Sequence, residues 1–554
     1  MKTIDDVIDL IFPNLTLTKE EIEAKYPKRD LTENQFVTRF APSPTGFMHI
    51  GNFFTALIDY IIAKKSNGVF YLRNEDTDKK REVEGALETI VSILNTYGLS
   101  LDEYELDGEI VGNYGPYVQS ERKEIYHAYI KYLLKIGRAY PCFCTKEELE
   151  DLRVKQEKTK IRPGYYGRFA KCRNLSYDEM YERISNNVPY VIRFKSLGDG
   201  ETTREFYDEV RGKVNITLND LDVIIMKSDN LLPTYHFAHV IDDYLMHTTH
   251  VVRGEDWLPS LPIHLELFEA LGYEAPKYIH ISNIMKTDNG VKRKISKRKD
   301  PEASMTYYLE NGYPETAVIE YLMTIVNSNY EDWRKENPDA SFTEFEFKSN
   351  KMSSSGALFD LDKLINISKL IISKMSKEEI FDASYNWAKN YSEKLLSLIE
   401  KDKEYYENIL NIEREQEKPR KDIYCYNDIY NNIWYMYDEE FYNNLNYEIE
   451  MDEKNKNLYN ICLDYVKSVY LDTDSKEEWF NKIKEICTKN NIATDMKEYK
   501  NNPDSFIASI ADVTNVIRVV LTTKTRTPDL YEIMRLLGKN RIIERFEKFK
   551  EFLK

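Results

Sequence analysis

The hydrophobic positions of the chain change their period several times, and the first change comes early. Residues 35–40, QFVTRF, have the character of a short strand, and a loop rich in proline and glycine follows them. From His49 the apolar side chains recur at helical spacing until Asn67-Gly68, and residues 69–73, VFYLR, are again strand-like. Strand, loop, helix and strand within about forty residues predict a βαβ unit, and therefore a parallel sheet.

A second α/β pattern appears further along the chain. Residues 221–229 and 249–257 are strand-like, and residues 233–246 between them have apolar side chains at helical spacing. Beyond Asp300 helical patterns dominate. The stretch 386–460 is rich in Tyr, Asn, Lys and Glu, but its aromatic content and helical period favour folded helices over disorder.

These changes of pattern divide the chain into an N-terminal extension over 1–36, a first α/β half over 37–115, an insertion over 116–220, a second α/β half over 221–300 and a helical region from residue 301 onward.

Composition narrows the class of protein. The chain has 554 residues, of which 42% are hydrophobic and 31% charged, as expected for a globular protein of several domains. No uncharged apolar run reaches the roughly 18 residues that a membrane span needs. The N-terminal stretch is acidic and its apolar part is too short for a signal peptide. We therefore expect a cytoplasmic protein without membrane contact.

The net charge of −17 disfavours a nonspecific nucleic-acid binder, because affinity for phosphate comes from lysine and arginine. Local basic strips remain compatible with this balance. One is KRKISKRK, residues 292–299, which follows a strand-like segment and is interrupted by Ile and Ser. Those two features favour a functional loop over an ordinary solvated run of charge.

Six cysteines in a chain of this length do not indicate a disulfide framework. Cys142 and Cys144 form a C-x-C pair, and Cys172 follows some way along the chain. Zinc requires four ligands, and no histidine lies between Cys144 and Cys172. We therefore favour reduced structural thiols over a zinc site, and assign no metal ligand.

Five motifs in a fixed order identify a family resemblance. RFAPSPTGFMHIGN, LRNEDTD, PTYHFAHVIDDYLM, VVRGEDW and KISKRK resemble the glutamyl-tRNA synthetases, class I enzymes with HIGH-type and KMSKS-type signatures. The match runs from about Val37 to Pro301 and continues more loosely to the C-terminus, where it resembles the bacterial form. Five ordered motifs on a βαβ frame are far more specific than a single H-x-G.

The resemblance implies a fold and a set of partners. It implies an α/β Rossmann-type class I synthetase catalytic domain with an inserted α+β acceptor-binding domain. All-helical stem-contact and anticodon-binding domains are expected to follow, over 301–370 and 371–554. The implied activity is ligation of glutamate to tRNA-Glu with ATP and Mg²⁺, by a protein that we expect to be a monomer.

Activation of an amino acid by ATP builds negative charge on the phosphoryl oxygens and on the leaving pyrophosphate, so positioned cations and N–H donors are needed. His49 stands at a helix start, where the helix dipole favours an anion, and Gly51 lacks a Cβ that would keep adenosine away. The resemblance implies His49, Lys294 and Lys297 as catalytic groups. It implies ATP contacts from His49, Gly51, Asn52, Asp256 and Lys297.

Glutamate carries two carboxylates and one ammonium, so its site should contain two anion partners and one carboxylate. The resemblance implies arginines for the carboxylates and Glu75 for the ammonium. The complete set that it implies for glutamate is Arg39, Ala41, Ser43, Glu75, Tyr235, His239 and Arg253.

Several alternatives remain open at this point. A glutaminyl-tRNA synthetase, a non-discriminating enzyme that also charges tRNA-Gln, and a truncated relative that modifies a tRNA base belong to the same class. The helical C-terminal half disfavours the first and the last of these. A small-molecule nucleotidyltransferase would rarely need so long a helical half, and an inactive synthetase-like tRNA-binding protein would not need His49, Glu75 and Lys297.

Overall fold

The structure is a computed structural model, and it describes residues 1–296, 298–353 and 356–553. The chain divides into two compact units. The first comprises Met1–Tyr307 and Ile319–Asp360, and the second comprises Tyr308–Val318 and Leu361–Lys554.

Two short helices form the N-terminal extension, α1 (Ile4–Ile11) and α2 (Lys19–Lys25). Each begins at a threonine whose side chain accepts a hydrogen bond from the backbone of the first turn, while an acidic side chain of that turn accepts from the threonine backbone. Helix α1 buries Val7, Ile8 and Ile11 in the core of the first unit. The apolar positions of IDDVIDLI therefore form the buried face of this helix.

The predicted βαβ unit is confirmed. Strand β1 (Val37–Phe40) pairs in parallel with β2 (Val69–Leu72), and α3 (Ile50–Lys65) connects them. Both strands are almost entirely buried, as expected for the parallel sheet of an α/β fold. His49 is the residue that caps α3, so the helix begins where the apolar period of the sequence changes.

The rest of the first half and the inserted segment follow in mixed order. The elements are α4 (Ala86–Thr96), β3 (Tyr104–Leu106), β4 (Glu109–Val111), α5 (Lys123–Lys135), β5 (Ala139–Cys142), α6 (Lys146–Lys158), α7 (Tyr177–Ser185), β6 (Val191–Phe194), β7 (Thr203–Asp208), β8 (Gly212–Thr217) and β9 (Ile224–Met226).

The inserted segment is built on antiparallel strands. Strands β5, β6 and β9 form one sheet in that order, and β7 and β8 form a separate hairpin. Strand β9 lies in the stretch 221–229, which we expected to begin the second α/β half. Its hydrogen bonds are with β6, so the inserted sheet extends beyond the expected boundary between residues 220 and 221. An apolar run predicts a strand but carries no information about its partner.

The second half returns to parallel pairing. It contains α8 (Tyr235–Leu245), β10 (His250–Gly254), α9 (Leu261–Leu271) and β11 (Lys277–Ile281). Strands β10 and β11 pair in parallel, and the Thr249 N–H donates to the Val37 carbonyl over 2.9 Å. That hydrogen bond brings β10 beside β1, so the carboxyl ends of the strands in both halves face the same region, where ligands bind in such folds.

A small sheet and three helices complete the first unit. Its elements are β12 (Ile284–Asp288), β13 (Val291–Lys294), α10 (Met305–Asn311), α11 (Glu315–Val326), α12 (Tyr330–Glu336) and β14 (Ala357–Leu358), and the boundary with the second unit falls within α10 and α11. The first half of the basic strip is therefore strand β13, which pairs with β12 in antiparallel register.

The second unit is helical in the part of the chain that the structure describes. Its elements after residue 360 are α13 (Leu361–Lys374), α14 (Lys377–Tyr391), α15 (Glu393–Lys401), α16 (Lys403–Asn411), α17 (Tyr426–Ile433), α18 (Asp438–Asn443), α19 (Glu453–Ser468), α20 (Lys476–Lys489), α21 (Met496–Asn501), α22 (Ile510–Thr522) and α23 (Leu530–Phe552). The tyrosine-rich stretch is folded as predicted, with Tyr406, Tyr435, Tyr437 and Tyr459 in one core.

Among the helices that the structure describes, none combines the length and the apolar composition needed to cross a membrane.

Arg545 provides a test of the helical core. It lies on α23 with no exposed surface, and its Nη1 donates to the carbonyls of Tyr435 and Leu521 while Nη2 donates to Asp438 over 2.7 Å. We expect Arg545→Met to lower the free energy of unfolding by about 3–5 kcal/mol, because these acceptors lose a buried cation.

Urea unfolding followed by the helical circular dichroism signal measures this change. Lys548→Met is the matched control, since Lys548 lies on the same helix and pairs with Glu551 at the surface. We expect the control to change stability by about 0.5 kcal/mol or less. Equal effects of the two variants would contradict the role assigned to Arg545.

Candidate active site

The loop before α3 is organised around His49. The Nδ1 atom of His49 accepts a hydrogen bond of 2.9 Å from the Gly51 N–H, so in the neutral imidazole the proton lies on Nε2. The His49 backbone bridges to Ser304, and the Met305 N–H donates to the Met48 carbonyl over 3.1 Å. The first signature loop is therefore held by the segment that directly follows the second one in sequence.

A cavity of about 950 Å³ opens beside this loop. It brings together seven residues that the sequence predicts for glutamate or ATP: Arg39, Ala41, Ser43, Asn52, Glu75, Tyr235 and Arg253. Five predicted residues do not line it: His49, Gly51, His239, Asp256 and Lys294. Lys297, the predicted cation for pyrophosphate, lies outside the residues that the structure describes.

A buried charge network forms one wall of the cavity. Asp243 on α8 accepts from Arg39 Nε over 3.2 Å and from Arg73 Nη1 over 2.6 Å. Arg73 also donates to Glu75 over 3.0 Å. Although burial works in the opposite direction, the two arginines hold the pKa of Asp243 well below its ordinary value. Arg39 thus enters the cavity with part of its charge already compensated.

A second carboxylate, Asp242, extends this network to the inserted segment and the N-terminal extension. Asp242 accepts from Arg122 Nε over 2.7 Å, and from Gln119 and Tyr126 over 2.8 Å each. Arg122 in turn donates to the Tyr26 hydroxyl of the N-terminal extension over 3.1 Å. Arg73, Asp242 and Asp243 were not singled out in the sequence. The adjacent acids in HVIDDYLM are the signal, because two charges on the apolar side of a predicted helix need buried partners.

Arg253 is held differently from Arg39. Its Nε donates to His280 Nε2 and its Nη1 donates to His264 Nδ1, both over 3.0 Å. Within the described part of the chain, no carboxylate pairs with Arg253, and its Nη2 has no hydrogen-bond partner. Arg253 therefore brings an uncompensated positive charge to the cavity wall.

Glu75 and Tyr235 supply the remaining polar lining. Burial raises the pKa of Glu75, and the nearby Arg73 and Arg39 act against this rise. The Tyr235 ring packs on Trp257 with 4.2 Å between ring centroids. Glu75 is thus a buried acid at the cavity, paired with one arginine, while Tyr235 and Trp257 form an aromatic side of it.

His239 lies behind the cavity wall. It is fully buried, its Nε2 is 2.9 Å from the Tyr278 hydroxyl, and its Nδ1 is 2.5 Å from Asp243 Oδ2. Burial lowers the pKa of His239 to about 3. Both ring nitrogens face protein groups, and the ring stacks on Tyr235, which lines the cavity. The structure therefore places His239 behind the lining, which differs from the direct contact expected.

Lys294 and Asp256 form an ion pair with each other at the surface. Asn283 Nδ2 donates to Asp256 over 3.2 Å. The neighbouring Arg293 donates to Asp300 through both Nη atoms, over 2.6 and 2.7 Å. The described part of the second signature loop is therefore anchored at its start by ion pairs, and Lys294 is kept away from the cavity lining in this state.

A group of basic side chains at the cavity was missed in the sequence. Lys79, Lys80 and Arg81 follow the acidic turn after β2, and Lys227 follows β9. Lys227 donates to the Thr77 carbonyl, which ties the inserted sheet to that turn. The run TDKKR was the available signal, since three consecutive cations directly after a strand-end motif suit an anionic ligand.

The three cysteines of the insertion meet in one cluster. The sulfur atoms of Cys142, Cys144 and Cys172 all lie within 4.8 Å of one another. The Tyr165 hydroxyl lies 3.4 Å from Cys142 Sγ and 3.2 Å from Cys144 Sγ. Three thiols and a phenol can supply the four ligands of a tetrahedral zinc site, with tyrosine in the place of the missing histidine. The sequence spacing alone did not indicate this fourth group.

The cluster predicts a measurable metal content. Protein purified without chelators should contain about one zinc ion per chain, because three converging thiolates bind zinc strongly. Cys144→Ser should lose the metal, and Cys425→Ser, a buried cysteine of the helical unit, should keep it. Elemental analysis by mass spectrometry checks both. Metal-free wild-type protein that also fails to take up added zinc would contradict the prediction.

Comparison with known families places these observations in context. Residues 35–365 match the family described as tRNA synthetases class I (E and Q), catalytic domain, and residues 385–550 match the anticodon binding domain. The chain is 48% identical over 543 residues to a glutamate–tRNA ligase of Acetivibrio thermocellus, covering 98% of both chains. It is 48% identical over 549 residues to one of Clostridium perfringens, covering 98% of this chain and 99% of that one.

A solved structure supports the same relationship. The crystal structure of a glutamate tRNA ligase from Elizabethkingia meningosepticum in complex with its amino acid superposes with a TM-score of 0.74 at 29% identity, covering 94% of this chain and 100% of that chain. The βαβ frame, the ordered motifs and the near full-length identity agree, and the chain belongs to the bacterial-type glutamyl-tRNA synthetases, a family of class I aminoacyl-tRNA synthetases.

Proposed function

We propose that the protein is a glutamate–tRNA ligase that activates L-glutamate with ATP and transfers it to the 3′ end of tRNA-Glu. The observation that carries the choice of substrate is the cavity in which Arg253, without a carboxylate partner among the described residues, lies near the buried acid Glu75. An arginine of this kind gains most from an anionic ligand, because an unpaired buried charge is costly.

The three charges of glutamate match three groups of the cavity. Arg253 receives one carboxylate, since its charge is uncompensated. Arg39 receives the other, although its pairing with Asp243 leaves it a weaker cation. Glu75 receives the ammonium group, with Ala41, Ser43 and Tyr235 completing the lining. Glutamine would present a neutral amide to one arginine, and the resulting loss of about 3–5 kcal/mol would exclude it.

The phosphates of ATP are received at the start of α3. His49 Nε2–H donates to them, and the backbone N–H groups and dipole of the helix stabilise their charge. Gly51 and Asn52 contact the nucleotide, and Asp256 is proposed as a further ATP contact. Lys294 would then exchange its ion pair with Asp256 for the phosphates.

The chemistry proceeds in two steps. A carboxylate oxygen of glutamate attacks the α-phosphorus of ATP, the bond to the bridging oxygen of the β-phosphate breaks, and pyrophosphate leaves. Lys297, from its place in the KISKR motif, is proposed to neutralise the leaving group together with Lys294. A terminal ribose hydroxyl of tRNA then attacks the glutamyl carbonyl, and AMP leaves.

The cavity suits a Mg²⁺ ion that binds together with ATP rather than one held permanently by the protein. Asp78 and Asp229 line the cavity, but they pair with Arg81 and Lys80 respectively. Magnesium commonly keeps several waters and binds one or two carboxylates in addition to substrate phosphates, which these exposed acids permit. When bound, the ion would neutralise charge on the phosphates of ATP.

The remaining assignments are proposals from the family and the composition. The inserted segment is proposed to hold the acceptor end of tRNA, beside the basic group at the cavity. Residues 371–554 are proposed to contact the anticodon. The protein is also proposed to be a cytoplasmic monomer, and size-exclusion chromatography with light scattering tests the oligomeric state.

The function is tested by aminoacylation with labelled glutamate. Purified tRNA-Glu should be charged, and the same assay with tRNA-Gln decides whether the enzyme discriminates between the two. Arg253→Ala should raise KM for glutamate by roughly 10² or more, because the carboxylate loses its cation, with KM for ATP little changed.

Arg153→Ala is a suitable control, since Arg153 on α6 does not line the cavity and pairs with Glu150 and Glu157 at the surface. An unchanged KM for glutamate in Arg253→Ala would remove this arginine from the substrate site. Failure of the wild-type protein to charge either tRNA would remove the proposed function itself.

A second prediction concerns the order of binding. We expect ATP, Mg²⁺ and glutamate alone to give almost no ATP–pyrophosphate exchange, and cognate tRNA to switch it on, because tRNA binding energy would assemble the site. Lys297→Ala should lower the switched-on rate by roughly 10² or more. Rapid exchange in a preparation free of tRNA would contradict this coupling.

A further inference from the structure

Arg253 is positioned by groups that do not themselves reach the cavity. His264 lies on α9 and His280 lies on β11, and each accepts one hydrogen bond from the Arg253 guanidinium. Both imidazoles have no exposed surface. The ring of Tyr278 packs beneath the guanidinium carbon at 4.6 Å. Nε, Nη1 and one face of Arg253 are thus occupied by protein, and Nη2 is a buried donor that lacks a hydrogen-bond partner among the described residues.

The two histidines can accept hydrogen bonds from Arg253 only when the ring nitrogens that face it are unprotonated. Arginine is a donor at every nitrogen, so His280 Nε2 and His264 Nδ1 must both be unprotonated. Burial lowers the pKa of His280 and holds that of His264 well below its ordinary value, which agrees with neutral rings. His264 can then donate from Nε2 to His236 Nδ1, 3.0 Å away.

Asp208 sets the tautomer of His280. It lies at the end of β7, in the inserted hairpin, and its Oδ2 accepts from His280 Nδ1 over 2.7 Å. Its Oδ1 accepts from the N–H groups of Val210 and Arg211 over 3.0 and 2.9 Å. With both oxygens committed, the proton of His280 is held on Nδ1, and Nε2 is free to accept from Arg253.

We propose that Asp208, His280 and His264 are positioning residues for glutamate, which hold the Arg253 guanidinium without cancelling its charge. A carboxylate in the place of either imidazole would fix the arginine equally well, but it would neutralise the cation that the substrate needs. The inserted hairpin would therefore contribute to amino-acid binding through Asp208, although Asp208 does not line the cavity. This inference rests on the proposed role of Arg253.

Asp208→Asn is the most direct test. Two backbone donors, of Val210 and Arg211, face Oδ1, and one, the His280 N–H at 3.2 Å, faces Oδ2. The two donors at the turn keep the amide oxygen on their side, so the new NH₂ group faces His280 Nδ1. The imidazole must then accept at Nδ1 and carry its proton on Nε2, where it meets the Arg253 Nε–H at 3.0 Å. We expect KM for glutamate to rise roughly 10-fold or more, with a smaller change in kcat and in KM for ATP.

Asp199→Asn is the matched control. Asp199 is an exposed acid just before β7 that accepts from the backbone of Glu201 and Thr202, as Asp208 does from its own turn. Among the described residues its hydrogen bonds are with Glu201 and Thr202 and none is with a histidine, so this variant should leave KM for glutamate unchanged. Nitrogen-15 NMR of histidine-labelled protein, which has eight histidines, reports the tautomer directly and should show a change for one ring in Asp208→Asn only.

A second pair of variants keeps the proposal testable if Asp208→Asn folds poorly. His264→Asn retains an acceptor near the Nδ1 position, whereas His264→Leu removes it. We expect His264→Asn to stay within roughly 3-fold of wild type in KM for glutamate, and His264→Leu to exceed roughly 10-fold.

The KM values for glutamate in these variants distinguish the positioning role from the proposed function. If Arg253→Ala raises KM for glutamate while Asp208→Asn and His264→Leu do not, the positioning role is overturned and the proposed function stands. If His264→Asn and His264→Leu are equally impaired, or if the His280 tautomer is unchanged in Asp208→Asn, the role is also overturned. If Arg253→Ala has no effect, the proposal fails together with the assignment of Arg253.

Discussion

Two adjacent buried carboxylates, Asp242 and Asp243 on α8, make the arrangement of the active site possible. Arginines taken out of water cost several kcal/mol each unless they are paired and hydrogen-bonded. Asp243 compensates Arg39 and Arg73, and Asp242 compensates Arg122. Because these arginines come from β1, the end of β2 and the start of the insertion, the helix that carries both acids ties these elements together.

Arg253 has different partners from these arginines, and its positive charge is therefore left uncompensated. Arg39 shares Asp243 with Arg73, whereas Arg253 rests on two imidazoles that accept hydrogen bonds without contributing a negative charge. The cavity therefore contains a cation that is oriented but uncompensated, beside a buried acid in Glu75. Orientation without neutralisation is what a site needs if it is to prefer a carboxylate over an isosteric amide.

Sequence periodicity predicted the βαβ unit, α8 and β10, because one buried face or a fully buried strand leaves a regular apolar pattern. The motif residues that line the cavity were also identified. The partner of β9 was not, since a strand has the same period in either sheet. His264 and His280 could not be recognised either, because they become acceptors for Arg253 only when α9 and β11 pack beside β10.

The sequence of the N-terminal extension indicated no role for it, and the buried charge network supplies a structural one. Arg29 pairs with Glu103 through both Nη atoms and donates from Nε to the Met246 carbonyl, which follows α8. The Tyr26 hydroxyl accepts from Arg122, the partner of Asp242. The extension thus contacts the backbone just beyond α8 and the arginine that pairs with Asp242, so it covers part of the buried Arg122. Since an arginine–carboxylate pair strengthens as water is excluded, residues remote from the cavity contribute to the rigidity of its wall.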